Sequence, residues 1–507
     1  MFPGTRSKRW AIGLCAVLSL FLLYRGTTFR KDTIDEIAEA EPSRPSNFDE
    51  LDLDSIDYPA RFQELRAAEW KLPQHDLDLP FPEGKDGRFV KFNCESEKLG
   101  WGDVLSERYV LTLTLCYLTA HVLRLLNTLL AYKSNRGYVF TEYTWKPEYY
   151  PWPQQKWLTF YPPVTPLSAF ISGPTVGGSW APGDKAPRSI SPRWWDVVCP
   201  PERRRFISTR DIKLKLGDAS GTEIFAEWQK ELSTANESCI EVVAEDRFQE
   251  DYYQVFDPKL LASPKVLPLW ETFLESPVSQ LLKSSSIVER ALKVNNHVFT
   301  SDESDVDPYS RMLAIQIKRG DSKEACTSLS NQNSTFYGWN LHDSLPDRFE
   351  PPAGGNSPEN EALYMTHCHP SDEQILQKIR DSKQEYLDVV EAAGRKRTLN
   401  LLYLWTNDDG EWLEDIKRTT KAEGWNVVAT SRDLKLDRET KEASIAVDMD
   451  IARRAAVFIG DGVSYCSTNF SSFLYLLLIL VVAICKQCCP QTNSRWKNTH
   501  KHSLLLR

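Results

Sequence analysis

Residues 318–321, Lys318-Arg319-Gly320-Asp321, close the apolar run MLAIQIK (312–318) with two cations and a turn. That combination suits a nucleotide pyrophosphate, because a guanidinium forks onto paired phosphate oxygens and an ammonium adds a point charge. The plain alternative is an ordinary charged turn. A second polar loop, Gly460-Asp461-Gly462-Val463-Ser464, follows the apolar run 456–459 and offers a hydroxyl at Ser464. Asp448 lies in the amphipathic stretch leading to that run, where a carboxylate could accept hydrogen bonds from a base or ribose. A solvated helix residue is the rival reading.

Other clusters carry less. His367-Cys368-His369 has metal-binding letters, but adjacent residues rarely chelate one ion alone, and no second Cys/His pair stands at zinc-site spacing. The Asp-x-Asp pairs Asp52/Asp54, Asp76/Asp78 and Asp448/Asp450 fall in or just past an acidic stretch or inside a helix, so all three read as non-metal. Gly-x-Ser-x-Gly, Walker A and His-Glu-x-x-His motifs are missing, which removes the hydrolase classes that depend on them.

The elements that must position these loops follow a regular rhythm. Strands are expected at 312–318, 401–405, 425–429 and 456–459, and helices over 371–393, 411–423 and 439–454. Ser371 with Gln374 forms a capping box, and Gly424 closes the second helix. Strands alternating with helices define an α/β fold with a parallel sheet, whose ligands lie at the carboxyl ends of the strands. In the first half Gly100-x-Gly102, an apolar helical stretch and the strand at 137–140 could open a second such domain. Residues 145–200, rich in Pro and Trp, read as long ordered loops.

Charge is unevenly spread over the 507 residues: +6 in 1–31, -9 in 32–58, -11 in 59–485 and +5 from Lys486. No long basic face exists to match a phosphate backbone, which argues against nucleic-acid binding. Residues 10–24 (WAIGLCAVLSLFLLY) form an uncharged run between basic flanks, either a cleaved signal peptide or a signal anchor; with no small-x-small cleavage site after Tyr24 it is read as an anchor with residues 1–9 cytosolic. Residues 25–85 form the linker, and its acidic part is a self-repelling stalk. Asn236 and Asn333 stand in glycosylation acceptor triplets, as does Asn469, and Cys94, Cys199, Cys239, Cys326 and Cys368 could pair in an oxidising lumen.

The blocks LGWGDVLSE, YVFTEYTW, ISGPTVGG, DVVCPPERRR, LAIQIKRGDSKEAC, LYLWTND, GWNVVATSRDL and AVDMDIARRAAVFIGDG, in this order, resemble the fungal branch of the GDP-fucose protein O-fucosyltransferase family over residues 90–470. The resemblance implies a GT-B-like enzyme: two Rossmann-like domains, 86–300 and 301–470, facing across a cleft behind an anchor and stalk. It implies a single-pass type II protein of the Golgi or endoplasmic reticulum membrane with a lumenal catalytic domain. It implies inverting transfer of fucose from GDP-fucose to a protein or glycan hydroxyl, without an obligatory metal or other cofactor.

The same resemblance assigns Lys318 and Arg319 to the diphosphate, with Lys318 standing where the family has its principal arginine. It assigns donor-side roles to Gly100, Gly102, Asp103, Gln316, Asp321, Asp448 and Ser464. Gln316 replaces a family histidine, Asp103 an amide and Tyr465 a second phosphate-binding hydroxyl. Those substitutions keep two rival readings in play: a catalytically impaired, membrane-anchored binding protein, and a transferase for another nucleotide sugar. Residues 109–120 and 471–507 leave the family pattern. For the latter a buried helix, a second membrane segment with a basic tail, or retained intron sequence are the readings.

Overall fold

The computed structural model describes residues 62–93, 123–145, 150–152, 163–244, 255–261, 263–300, 307–319, 322–331, 333, 336, 341–342, 349–352 and 357–460. The apolar run 10–24, the acidic stretch 32–58 and the segments 109–120 and 471–507 lie outside them. No helix among the described residues is long and apolar enough to cross a membrane. The chain divides into a unit of Met1–Ile56 and a unit of Asp57–Arg507, and every element below belongs to the second.

The first sheet holds β1 (Phe89–Phe92), β2 (Gly137–Tyr138), β3 (Arg204–Ser208) and β4 (Cys239–Val243) in the order β2-β1-β4-β3, all parallel. Its helices begin where short polar side chains satisfy free backbone N–H groups. Ser191 opens α1 (Pro192–Val198) by accepting from the Trp194 amide at 3.3 Å. After α2 (Thr209–Leu216), a reciprocal Ser220/Glu223 capping box opens α3 (Gly221–Thr234). Buried Arg136 donates to the carbonyls of Leu232, Ala235 and Glu237 at the far end of α3, and burial holds its guanidinium down at about 9. In the described parts of the Trp-rich stretch the aromatics serve as core: Trp145, Tyr150, Trp152, Trp180, Trp194 and Trp195 are all buried.

Next come α4 (Ser286–Val294), α5 (Ser322–Asn331), α6 (Pro358–Cys368), α7 (Asp372–Ala392), α8 (Glu411–Ala422), α9 (Arg438–Glu442) and α10 (Ser444–Arg454). They surround a second sheet of β5 (Met312–Ile317), β6 (Leu401–Thr406), β7 (Val427–Thr430) and β8 (Val457–Ile459). This sheet is wholly parallel in the order β7-β6-β5-β8. Strand alternation sorts its side chains: Leu313, Ile315, Ile317, Leu402 and Leu404 pack on α7 and α8. Met312, Ala314, Leu401 and Tyr403 join the core containing α4 and α10. That core is continuous with the first sheet's, through Val90, Phe92, Ile240 and Val242.

The expected elements recur with small shifts at their ends. One differs in kind: the stretch 439–454 is two helices parted at Ala443, whose ψ of 10° departs from helical geometry. The break follows Glu442, a carboxylate that is 1% exposed. It accepts from Tyr150 (2.9 Å), the Trp152 indole (3.2 Å) and Thr165 (2.6 Å), so α9 is drawn toward the Trp-rich loops while α10 stays on the sheet.

Candidate functional site

In the second sheet the chain runs outward from β5 to β6 to β7, then returns to place β8 on the other side of β5. Connections to one side lie on the α7/α8 face and the return through α10 lies on the opposite face. The strand order thus reverses at β5, and the carboxyl edge beside such a reversal is the place where open parallel sheets take ligands. Lys318 and Arg319 stand at that edge directly after β5, and Gly460 directly after β8.

Arg319 is held from both ends. Its backbone N–H donates to Asn407 Oδ1 at 3.0 Å, and its carbonyl accepts from Asn407 Nδ2 at 3.2 Å. Its guanidinium pairs with Asp372, donates to the Pro370 carbonyl at 3.3 Å and stacks over the Trp412 ring at 4.2 Å. Trp412 in turn donates its indole N–H to Asp372 at 2.7 Å. An aspartate turn, Asp408 accepting from the Gly410 amide at 2.8 Å, leads into α8 and delivers Trp412. The Ser371/Gln374 capping box does the same for Asp372.

Beside this group, His369 is held below its ordinary value by burial first and then by the neighbouring cations Arg319 and Lys323, which favours the neutral ring. Arg432, in the turn after β7, donates to the Asn407 carbonyl at 3.1 Å. Three strand-end loops thus converge on Asn407. The disulfide Cys326–Cys368 ties α5, the helix after the Lys318 loop, to the end of α6, one residue before His369. Cys199–Cys239 braces the first sheet, so four of the five dispersed cysteines pair and Cys94 lies outside the described residues.

Asp448 is not a solvated helix residue. It is 7% exposed and accepts the Tyr403 hydroxyl at 2.5 Å, bridging α10 to the middle of β6. Burial lifts its carboxyl to about 6, opposed by the hydrogen bonds from Tyr403 and Ser431 and by the charge of Arg432. The Tyr403 phenol is pushed well above its usual range by burial and by Asp448. Asp450 points elsewhere, to Arg453 at 2.6 Å and Arg454 at 2.8 Å, so this Asp-x-Asp pair is split between two partners. Asp76 accepts from the Asp78 amide at 2.9 Å in a local turn. Among the described residues no three His, Cys, Asp or Glu side chains gather in a metal-holding cluster.

The structure thus brings Lys318, Arg319 and the buried Gln316 onto one strand end, with Asp448 in the helix layer against the same sheet. Gly100, Gly102, Asp103, Asp321 and Ser464 lie outside the described residues. Asn236 and Asn333 are exposed. Sequence reasoning missed Asn407, Trp412, Asp372 and Arg432. The signal for two of them was present, since Asn407 and Arg432 also follow strand ends of the same sheet.

No family model matches the chain, and no curated protein matches it. Among solved structures it is similar to the crystal structure of POFUT1 in complex with GDP, at 14% identity and a TM-score of 0.38, over 76% of this chain and 94% of that one. It is similar also to POFUT1 in complex with GDP-fucose, at 14% identity and a TM-score of 0.37, over 77% and 95% of the two chains.

Proposed function

We propose that the chain is a glycosyltransferase that takes fucose from GDP-fucose and passes it to a hydroxyl of a protein or glycan, with inversion and without an obligatory metal. The observation that carries this reading is the placement of Lys318 at the carboxyl edge of β5, beside the point where the strand order reverses. The ordered sequence blocks that resemble the O-fucosyltransferase family support it. A departing GDP gathers negative charge on its β-phosphate, and a cation held at a strand end stabilises that charge as it develops. In this reading Lys318 serves the diphosphate, with Gln316, Asp321 and Ser464 on the donor side. Asp448, with Gly100, Gly102 and Asp103 from the first lobe, completes the donor set. The GT-B arrangement, the anchor at 10–24, and a lumenal position in the Golgi or endoplasmic reticulum belong to the same proposal.

Titration calorimetry of the full chain with GDP and GDP-fucose, followed by donor hydrolysis and transfer assays, tests it. Saturable binding of both nucleotides is expected, with GDP weakened about tenfold or more in Lys318→Gln by loss of a charge-assisted contact. Lys318→Arg should retain binding. An absence of nucleotide binding by the wild-type chain sinks the reading. Binding without turnover, restored by Lys318→Arg, selects the impaired-enzyme alternative, which the substitutions Gln316 and Lys318 favour.

A further inference from the structure

We propose that Trp412 and Asp372 are positioning residues that draw the Arg319 guanidinium onto the α7/α8 face and so leave Lys318 as the cation that meets the diphosphate. This deepens the donor-site reading above and rests on it. Side chains of an extended chain alternate between faces, and Ile317 is buried on the α7/α8 face. Two residues on, Arg319 takes the same side, where Asp372 opens α7 and Trp412 lies in the first turn of α8. By the same alternation Lys318 belongs with Gln316 on the opposite face, the one that carries α10 and Asp448.

The Arg319 side chain is only 16% exposed, and its guanidinium already has an ion pair, a carbonyl and an aromatic face. To swing to the face that carries α10 and Asp448 it would have to give up all three. A guanidinium satisfied in this way is a strut, and the Asn407 amide, clamping its backbone from both sides, shows what the strut holds: the peptide next to Lys318.

Two measurements on the full chain test this. The first is a double-mutant cycle read by GDP affinity. Trp412→Leu should weaken GDP roughly fivefold in the wild-type background and have little effect in a Lys318→Gln background, because coupled sites are not additive. Trp412→Phe, which keeps the stacking face, should recover most of the loss. The second is amide hydrogen exchange. Peptides covering 313–331 should exchange roughly tenfold faster in Trp412→Leu and in Asp372→Asn, while peptides of β1 stay unchanged, which separates local loosening from global unfolding.

Full additivity of Trp412→Leu or Arg319→Gln with Lys318→Gln overturns the proposal, since Arg319 would then meet the phosphate itself. Unchanged exchange in both variants overturns it as well. A wild-type chain that binds no GDP defeats the donor-site reading, and the exchange measurement, which needs no ligand, still decides whether Trp412 and Asp372 hold the loop.

Discussion

Asp448 illustrates how far a residue's type falls short of its state. Its place before the 456–459 run marked it as a carboxylate of interest, but the Tyr403 partner is 45 positions away and became visible only when α10 packed on β6. Because burial raises its carboxyl to about 6, the folded chain holds that proton more tightly than the unfolded chain does. The resulting stabilisation is fully present below the ordinary aspartate range and is lost as pH rises through about 6. Asp448→Asn removes this dependence. Its stability relative to wild type should therefore rise by about 1 to 2 kcal/mol between about pH 4.5 and about pH 7.5, read from urea midpoints at each pH. A difference independent of pH would mean the carboxyl titrates normally. Arg319 teaches the same lesson: two adjacent cations read alike in the sequence, and only packing shows that this one is held by Asp372 and Trp412.

Helix starts were the most legible elements, because a cap is a local event between residues three apart. Ser371 and Gln374 form the reciprocal bonds that their spacing foretold, at 2.8 Å and 3.3 Å. Ser371→Ala should cost about 1 kcal/mol in global stability, and a change below a few tenths would show the cap to be idle. The break between α9 and α10 was illegible for the converse reason. Nothing within four residues of Ala443 forbids a helix, and the interruption is set by Tyr150, Trp152 and Thr165, nearly 300 positions earlier. Glu442→Ala would strand three donors in the core and should destabilise the protein by about 3 kcal/mol, with Glu442→Gln less severe. Equal, negligible effects of both substitutions on the denaturation midpoint would show that the carboxylate does not join α9 to the loops.

At the scale of the whole molecule, among the described residues a shared core joins the two sheets and a disulfide braces each half. Cys199 and Cys239 close a loop with a sequence separation of 40, so Cys239→Ser should lower stability by about 2 to 4 kcal/mol. Peptide mapping under non-reducing conditions should recover the Cys199–Cys239 cross-linked peptide, and finding both cysteines as free thiols would mean the bridge does not form. The sequence by itself determined the α/β class, the alternation of strands and helices after residue 312, the buried strands and the cations at the end of β5, since each depends on periodicity or on neighbours a few positions apart. It left open which cysteines pair, what holds the Arg319 guanidinium, and whether Asp448 meets water or a phenol. Only the tertiary structure decided these, through the order β7-β6-β5-β8 and the packing of Trp-rich loops on α9. Their partners lie tens to hundreds of positions apart, and no local pattern encodes a distance that chain folding alone brings within bonding reach.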